Sequence, residues 1–297
     1  MRDQRRAQQL SFPIFAGVRR SPDPRTAHPL YTRPLAGFAR PVQSSHRRPT
    51  HPVMTLDYSR FYARYHPDDP AHRNGLRLLH RRMLGPLLPL ERDAPVLDVG
   101  CGRGYALQDL AELGYRNLQG VETDANQAAF ARNQQLDVVH AESTETFLAT
   151  RSGTYAVVLL MDVLEHVPRP AQPGFLRAIA ASMRPGGRLI CTVPNAASSI
   201  ASYWLHNDYT HQTSFTTDSL SGLLEQCGFA EPRCTAIEFT LRPRYLFWLP
   251  TPRTVAWWLR CLVRMRQRAV YVAELGWKRG RETILTPNLL AVADKAG

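Results

Sequence analysis

Residues 96–104 constrain the fold of this chain more than any other segment. They read VLDVGCGRG, an apolar run that passes directly into a turn with three glycines. Such a run is typical of a buried strand. Glycines allow positive φ angles and let a ligand approach the backbone without meeting a Cβ atom. We therefore predict a strand, a tight ligand-binding turn and a helix that begins after Gly104.

Strand-like and helix-like patterns alternate through the middle of the chain. Apolar runs lie at 95–99, 118–121, 138–139, 156–161 and 189–193. Helical patterns lie at 105–114, 125–135, 174–183 and 216–226, the last with Thr216 or Thr217 as its cap. Strands that alternate with helices imply a parallel sheet with right-handed crossovers. The sequence thus predicts an α/β fold with a doubly wound, Rossmann-like layer.

Composition divides the chain into five segments. Residues 1–53 hold eight prolines and ten arginines against two aspartates, without sustained periodicity, so we predict a disordered basic extension. We then expect a helical segment (54–90), a ligand-binding core (91–240), a basic aromatic insertion (241–282) and a last strand with the C-terminus (283–297). Two other interpretations of the extension stay open: an organellar transit peptide, or translation that starts at Met54.

Charge and cysteine usage limit the classes of function. The net charge is +12, but residues 54–241 carry 16 basic against 20 acidic side chains, so the basic character belongs to the two appendages. The high pI is therefore poor evidence for a nucleic-acid-binding core. Five cysteines without a C-x-x-C pair favour a reducing compartment, and we expect the cytoplasm.

Two acidic residues accompany the glycine turn. Glu122 ends the next predicted strand, 22 residues after Gly100, where a carboxylate can accept hydrogen bonds from both hydroxyls of a ribose. In the alternative interpretation Glu122 is an exposed acid at a strand end, and Asp98 only orders the loop backbone. A dinucleotide fingerprint requires glycine or alanine where this chain has Tyr105, which disfavours NAD.

Five motifs are those of a known family: VLDVGCGRG (96–104), GVETD (120–124), VVLLMDVLEHV (157–167), MRPGGRLICTVPN (183–195) and LLEQCGF (223–229). With them, residues 90–240 resemble the class I S-adenosylmethionine-dependent methyltransferases, and residues 284–293 resemble the last strand of that family. The resemblance implies a seven-stranded sheet whose final strand is antiparallel. It also implies S-adenosyl-L-methionine as the cofactor.

The resemblance further implies which residues bind this cofactor. Family usage places four residues around its methionine part: Asp98, Gly100, Gly102 and Gly104. It places Glu122 on the ribose, Glu142 near the adenine, and Asp162, after the fourth strand, in the same cofactor site.

Methyl transfer from a sulfonium depends mainly on positioning, but an oxygen or nitrogen acceptor can need a base, for which histidine is suited. His166 and His211 follow the fourth and fifth predicted strands, and we predict both as catalytic, although His211 could also be a structural histidine.

The segment DVLEHV is similar to one in ubiquinone-biosynthesis O-methyltransferases, where its acids and histidine are associated with a divalent metal. Asp162, Glu165 and His166 could supply such ligands. We favour the alternative, in which Glu165 and His166 shape the acceptor pocket and no metal is bound.

The insertion suggests a membrane surface. A helix over 255–269 would place an apolar stripe on one side and polar residues opposite: Val255, Trp258, Leu262, Met265 and Ala269, against Arg260, Arg264 and Gln267. Arginine beside interfacial aromatics suits peripheral contact with anionic lipid. An ordinary helix that covers the sheet or the substrate pocket is the alternative.

We expect a cytoplasmic methyltransferase, in peripheral contact with the inner membrane face, that acts on a small molecule or a glycan or lipid intermediate at oxygen. The stretch DYTHQTSF (208–215) is similar to one in methyltransferases of cell-envelope pathways. Nucleic acid is disfavoured, because residues 161–164 (MDVL) lack the Pro-Pro-aromatic turn of amino-methylating DNA enzymes. A non-catalytic nucleoside-binding protein and an NAD-linked oxidoreductase are the alternatives. The sequence does not identify the acceptor or the oligomeric state.

Overall fold

A computed structural model describes residues 69–238 and 251–297. The predicted extension (1–53), the first part of the predicted helical segment (54–68) and the start of the predicted insertion (241–250) lie outside the described residues.

Seven strands form one sheet in the order β3-β2-β1-β4-β5-β7-β6. They are β1 (Val96–Val99), β2 (Leu118–Glu122), β3 (Val138–His140), β4 (Tyr155–Met161), β5 (Met183–Pro194), β6 (Phe229–Ala236) and β7 (Asn288–Lys295). The strand β7 runs antiparallel to both of its neighbours, whereas β1 to β5 pair in parallel. The sheet and its antiparallel last strand confirm the predicted fold class.

Helices connect the strands: α1 (Pro70–Leu84), α2 (Tyr105–Glu112), α3 (Ala125–Asn133), α4 (Thr144–Ala149), α5 (Gln172–Ser182), α6 (Ala201–Asn207), α7 (Thr217–Gln226), α8 (Pro252–Leu275) and α9 (Trp277–Glu282). Side-chain caps set several starts. Thr216, for example, opens α7 with a capping box in which it exchanges hydrogen bonds with Ser219. The helices α8 and α9 lie between β6 and β7, which confirms the predicted helical insertion before the last strand.

The core lies on both faces of the sheet. All four residues of β1 are buried, as are most of β4 and β5, which is typical of parallel strands covered by helices on two sides. One face packs against α5 and α7, and the other packs against α1 and α2.

The strand ends define the ligand-binding edge. The chain passes from β1 outward to β2 and β3, then returns to the other side of β1 as β4. In such sheets a ligand binds at the carboxyl ends of the strands where the order reverses. The ends of β1, β2 and β4 therefore form one edge.

No helix within the described ranges is long and apolar enough to cross a membrane.

Candidate active site

The turn between β1 and α2 is built on three glycines in left-handed conformations. Gly100, Gly102 and Gly104 have φ angles of 67°, 53° and 76°. A Cβ atom on Gly100 would lie 2.7 Å from Cγ2 of Val163, in the turn that follows β4. No side chain caps the first N–H groups of α2. The turn therefore leaves backbone open to a ligand, as the motif predicts.

Glu122 joins the end of β2 to this turn. Its side chain is 7% exposed and accepts hydrogen bonds from the N–H of Gly102 at 2.7 Å and from the N–H of Asp124 at 2.8 Å. Burial raises the pKa of its carboxyl, although these backbone hydrogen bonds oppose the shift. Each carboxylate oxygen can accept more than one hydrogen bond, so ribose hydroxyls can still be bound. The role of Glu122 on ribose stays a prediction.

Asp98 is a buried carboxyl within β1. Its side chain is 2% exposed, and no group within 69–238 or 251–297 donates a hydrogen bond to it. Burial, and then repulsion by Glu122, raises its pKa to about 8. A buried acid of this kind favours a ligand that brings a positive charge or a hydrogen-bond donor. The ammonium and sulfonium groups of S-adenosylmethionine meet that requirement, so these residues fit the cofactor.

The remaining two predicted cofactor residues lie at the same edge of the sheet. Asp162 follows β4 with a φ of 53°, and its Oδ1 accepts hydrogen bonds from Thr192 Oγ1 at 2.8 Å and from Asn288 Nδ2 at 3.2 Å. This carboxylate is thereby held by β5 and β7. Glu142 follows β3 and is exposed, two positions beyond the strand end. Contact of either residue with the cofactor stays a prediction.

The two predicted histidines come together although 44 residues separate them. The rings of His166, in a single 3-10 turn after β4, and His211, after α6, meet edge to face with their centroids 4.6 Å apart. His166 Nδ1 lies 2.7 Å from Thr210 Oγ1, which donates its own proton to Asp208 Oδ1, so the histidine must be the donor. Burial, and then the neighbouring His211, lowers the pKa of His166 to about 4. His166 is therefore neutral at physiological pH.

His211 has a defined tautomer. Its Nδ1 lies 2.8 Å from the carbonyl oxygen of Trp204, an atom that can only accept a hydrogen bond. The proton of neutral His211 is thus on Nδ1, and Nε2 carries the lone pair. This contact supplies the backbone hydrogen bond expected of a structural histidine while it leaves the second nitrogen basic.

Glu165 completes a group of three potential metal ligands. Its side chain is buried, and its Oε2 has no hydrogen-bond partner within the described residues. Ligand atoms of Glu165, His166 and His211 all lie within 4.8 Å of one another. Burial, and then the charge of Asp162, raises the pKa of Glu165 well above its ordinary range. A neutral carboxyl beside the neutral imidazole of His166 agrees with a pocket wall, and the absence of a metal stays a prediction.

Sequence reasoning missed a polar cluster on the α1 side of the cleft. His80 Nδ1 lies 2.6 Å from Asp109 Oδ2, and Arg73 Nη1 donates to the same oxygen at 3.0 Å. His80 is also close enough to Asp162 for their charges to interact. The pairing spans 29 residues and two helices, so no local pattern indicates it. Polar residues in otherwise apolar helical stripes were the only signal.

Comparisons with known proteins agree with this geometry. A family model described as a methyltransferase domain matches residues 69–231, more than half of the chain. A ubiquinone biosynthesis O-methyltransferase of Hydrogenovibrio crunogenus is 29% identical over 167 residues, which cover 50% of this chain and 68% of that protein. One of Caulobacter vibrioides is 36% identical over 107 residues, which cover 34% of this chain and only 40% of the relative.

Solved structures agree on the fold. The crystal structure of a SAM-dependent methyltransferase from Archaeoglobus fulgidus superposes with a TM-score of 0.58 at 19% identity, over 80% of this chain and 99% of that one. The glycine turn, the acids at the ends of β1 and β2 and the strand order lead to the same conclusion as the family match. This chain belongs to the class I S-adenosylmethionine-dependent methyltransferases.

Proposed function

We propose that this chain transfers the methyl group of S-adenosylmethionine to an oxygen atom of a small molecule or of a glycan or lipid intermediate. The tautomer of His211 is the observation that carries the proposal. Because Nδ1 donates to the carbonyl of Trp204, Nε2 can take a proton from an acceptor hydroxyl without a prior rearrangement. A base held in its reactive tautomer suits an oxygen acceptor, which must lose a proton as it gains the methyl group.

His211 stands at the ligand-binding edge of the sheet. It lies close enough to Asp162, just after β4, for their charges to interact. Its segment is fixed by the N–H of Gln212, which donates to the carbonyl of Glu165 at 2.8 Å. His166 packs against the His211 ring, and we assign it a positioning role, because its lowered pKa leaves it a weaker base.

The proposed division of labour follows from these positions. S-adenosylmethionine supplies an electrophilic methyl group on a positively charged sulfur, which becomes a neutral thioether. Asp98 and the glycine turn bind the charged end of the cofactor, and Glu122 binds its ribose. His211 Nε2 takes the acceptor proton as the new carbon–oxygen bond forms, and the neutral pocket wall of Glu165 and His166 excludes water.

Three further observations support the choice of acceptor and compartment. The relatives from Hydrogenovibrio and Caulobacter are named as O-methyltransferases, and that chemistry is extended here to this chain. His211 belongs to the DYTHQTSF segment, the stretch similar to one in envelope-pathway methyltransferases. All five cysteines are free, which agrees with a reducing, cytoplasmic location.

The test is substitution of His211 by alanine and by glutamine. We expect labelled-methyl transfer into a cell extract to fall about 100-fold or more in both variants, the usual contribution of a general base. The affinity for S-adenosylhomocysteine should stay unchanged. His206→Ala is the matched control, because this exposed histidine lies in the last turn of α6, only five residues earlier. Full turnover in both His211 variants would contradict the proposal, and so would a product methylated at carbon or nitrogen.

A further inference from the structure

Helix α8 is oriented with its polar side inward and its apolar side outward. The helix has 24 residues. Large apolar side chains recur along it at helical spacing and form a stripe that is exposed. The exposed fractions include 57% for Leu259, 59% for Leu262 and 68% for Met265, and Val255, Val263 and Val270 are each exposed by more than two fifths. A surface helix of a soluble domain normally buries such a stripe against the core.

The opposite face of α8 holds the helix on the protein through polar contacts. Arg264 forms an ion pair with Glu238 after β6, and Gln267 Nε2 donates to the carbonyl of Ala197. Tyr271 donates to the same carbonyl at 3.3 Å. The arginine and glutamine that the sequence places opposite the apolar stripe therefore face the body of the domain. The stripe does not cover the sheet.

The short helix α9 reinforces this orientation. Arg268 donates to the carbonyl oxygens of Gly280 and Arg281 at 2.7 and 2.8 Å, where α9 ends. Gly280 packs so closely that a Cβ atom there would lie 2.4 Å from Cα of Val272. Because α8 is tied on one side to α9 and on the other to the body, it cannot roll its apolar stripe inward without breaking these contacts.

The surroundings of the stripe are cationic. Residues 252–282 contain eight basic and two acidic side chains. Five of the basic residues are exposed: Arg253, Arg266, Lys278, Arg279 and Arg281. Arg266 lies within the apolar stripe at helical spacing from Leu259 and Leu262, and a long arginine stem can lie along apolar surface while its guanidinium reaches a charged partner. Trp277, at the start of α9, is 69% exposed and adds an interfacial aromatic side chain.

These positive charges indicate which kind of partner covers the exposed stripe. Two copies of the chain paired through this face would bring two sets of cations together, which opposes self-association. A lipid surface with anionic headgroups offers apolar chains for the stripe and negative charge for its rim. The 24 residues of α8 would be long enough to span a bilayer, but its hydropathy does not allow it to do so. We propose that α8 lies in the plane of an anionic membrane surface, with Leu259, Leu262 and Met265 inserted among the lipids.

The experiment is co-sedimentation of the full-length chain with vesicles of phosphatidylcholine, alone or mixed with phosphatidylglycerol. We expect binding to the mixed vesicles that weakens with added salt, and little binding to phosphatidylcholine alone. The double variant Leu259→Glu/Leu262→Glu should partition at least tenfold more weakly onto the mixed vesicles. Equal binding of wild type and this variant would overturn the proposal.

Two controls separate this surface from other causes. Leu78→Glu/Leu90→Glu makes the same change of residue and charge at two exposed leucines outside α8, and should bind like the wild type. Retained affinity for S-adenosylhomocysteine shows that the α8 variant is folded. A wild-type dimer in sedimentation velocity that Leu259→Glu/Leu262→Glu dissociates would overturn the proposal in favour of self-association. Vesicle binding is measured without turnover, so its outcome is independent of the proposed oxygen methylation.

Discussion

Gly100 marks the point where β1 meets the ligand-binding edge, and two separate costs oppose any side chain there. Its φ of 67° is left-handed, and a Cβ atom would lie 2.7 Å from Val163. Gly153 has a similar φ of 61° but open space around it, which makes it a matched control. Both alanine variants should lose about 1 kcal/mol of stability from the backbone conformation.

We expect Gly100→Ala, and not Gly153→Ala, to weaken S-adenosylhomocysteine binding at least tenfold, because only the first displaces the turn at the cleft. Isothermal titration calorimetry measures the affinities, and chemical denaturation measures the stabilities. Equal affinities in the two variants would show that the turn does not contact the cofactor.

The raised pKa of Asp98 predicts that cofactor binding releases a proton. Its pKa of about 8, which burial and Glu122 raise, leaves it largely protonated at pH 7. A bound cation favours the ionised form and lowers that pKa, so cofactor binding should release close to one proton at pH 7. The release should diminish as the pH rises above 8, where the free protein has already lost this proton.

Calorimetry in buffers of different ionisation enthalpy measures the proton release. Asp98→Asn should bind the cofactor more weakly and release no proton through this site. Proton release that persists in Asp98→Asn would assign it to another group, with Glu122 as the next candidate because its pKa is also raised.

Among the elements, α1 is joined to α2 by a buried acid in addition to apolar packing. Asp109 is fully buried and accepts hydrogen bonds from His80 and Arg73 of α1. Asp109→Asn should destabilise the protein by about 2 kcal/mol, because the partly buried guanidinium of Arg73 loses its charged hydrogen-bond acceptor. Glu112→Gln is the control on the same helix, since its pairs with Arg77 and Arg81 are solvent-exposed and should contribute less than about 0.5 kcal/mol.

The same contact predicts a pH dependence. Burial opposes ionisation of Asp109, but hydrogen bonds from His80 and Arg73 together hold its pKa below the ordinary 3.8. A lowered pKa in the folded state means that the stabilisation is complete above about pH 4 and is lost as the pH falls through the lowered value. Urea denaturation between pH 7 and pH 3 should show the difference between wild type and Asp109→Asn shrinking only at the acid end. A difference that is constant over this range would contradict the assignment.

The elements that periodicity predicts are the buried ones. The first five strands follow apolar runs of ordinary length, and α2, α3 and α5 lie where the helical patterns between those runs are. The edge strand β6 is mostly exposed and has no apolar run to mark it, and α4 is only six residues long. The stripe on α8 was visible in the sequence, but its direction was not. That direction depends on contacts of Arg264 and Gln267 with residues far away in the chain.

At the scale of the whole molecule, the candidate site has two kinds of feature. Sequence motifs indicate its individual residues, but only the fold determines which of those residues are in contact. The turn and its acids were predicted because each follows a strand end. The contacts between these residues could not be predicted, because each contact joins parts of the chain that follow different strands. Examples are the hydrogen bond from Gly102 to Glu122 and the ring contact of His166 with His211. The cluster of Asp109 with His80 was missed for the same reason. Sequence spacing locates the ends of the strands, and the strand order decides which of those ends are neighbours.

The strand order also predicts how the whole domain responds to a ligand. A nucleoside bound across the ends of β1 and β2 contacts the folded state alone, and so it stabilises the domain by about 2.7 kcal/mol at a hundredfold excess over its dissociation constant. For a domain of this size that corresponds to a rise in Tm of roughly 5–10 °C. S-adenosylhomocysteine should produce this rise in differential scanning calorimetry, because its ammonium group can pair with the buried carboxyl of Asp98. NADH should not, since Tyr105 stands where a dinucleotide turn needs a small residue and its pyrophosphate would meet that carboxyl. Glu122→Gln should reduce the rise with S-adenosylhomocysteine, whereas equal rises with both ligands would show that the cleft does not discriminate a nucleoside that carries an amino acid from a dinucleotide.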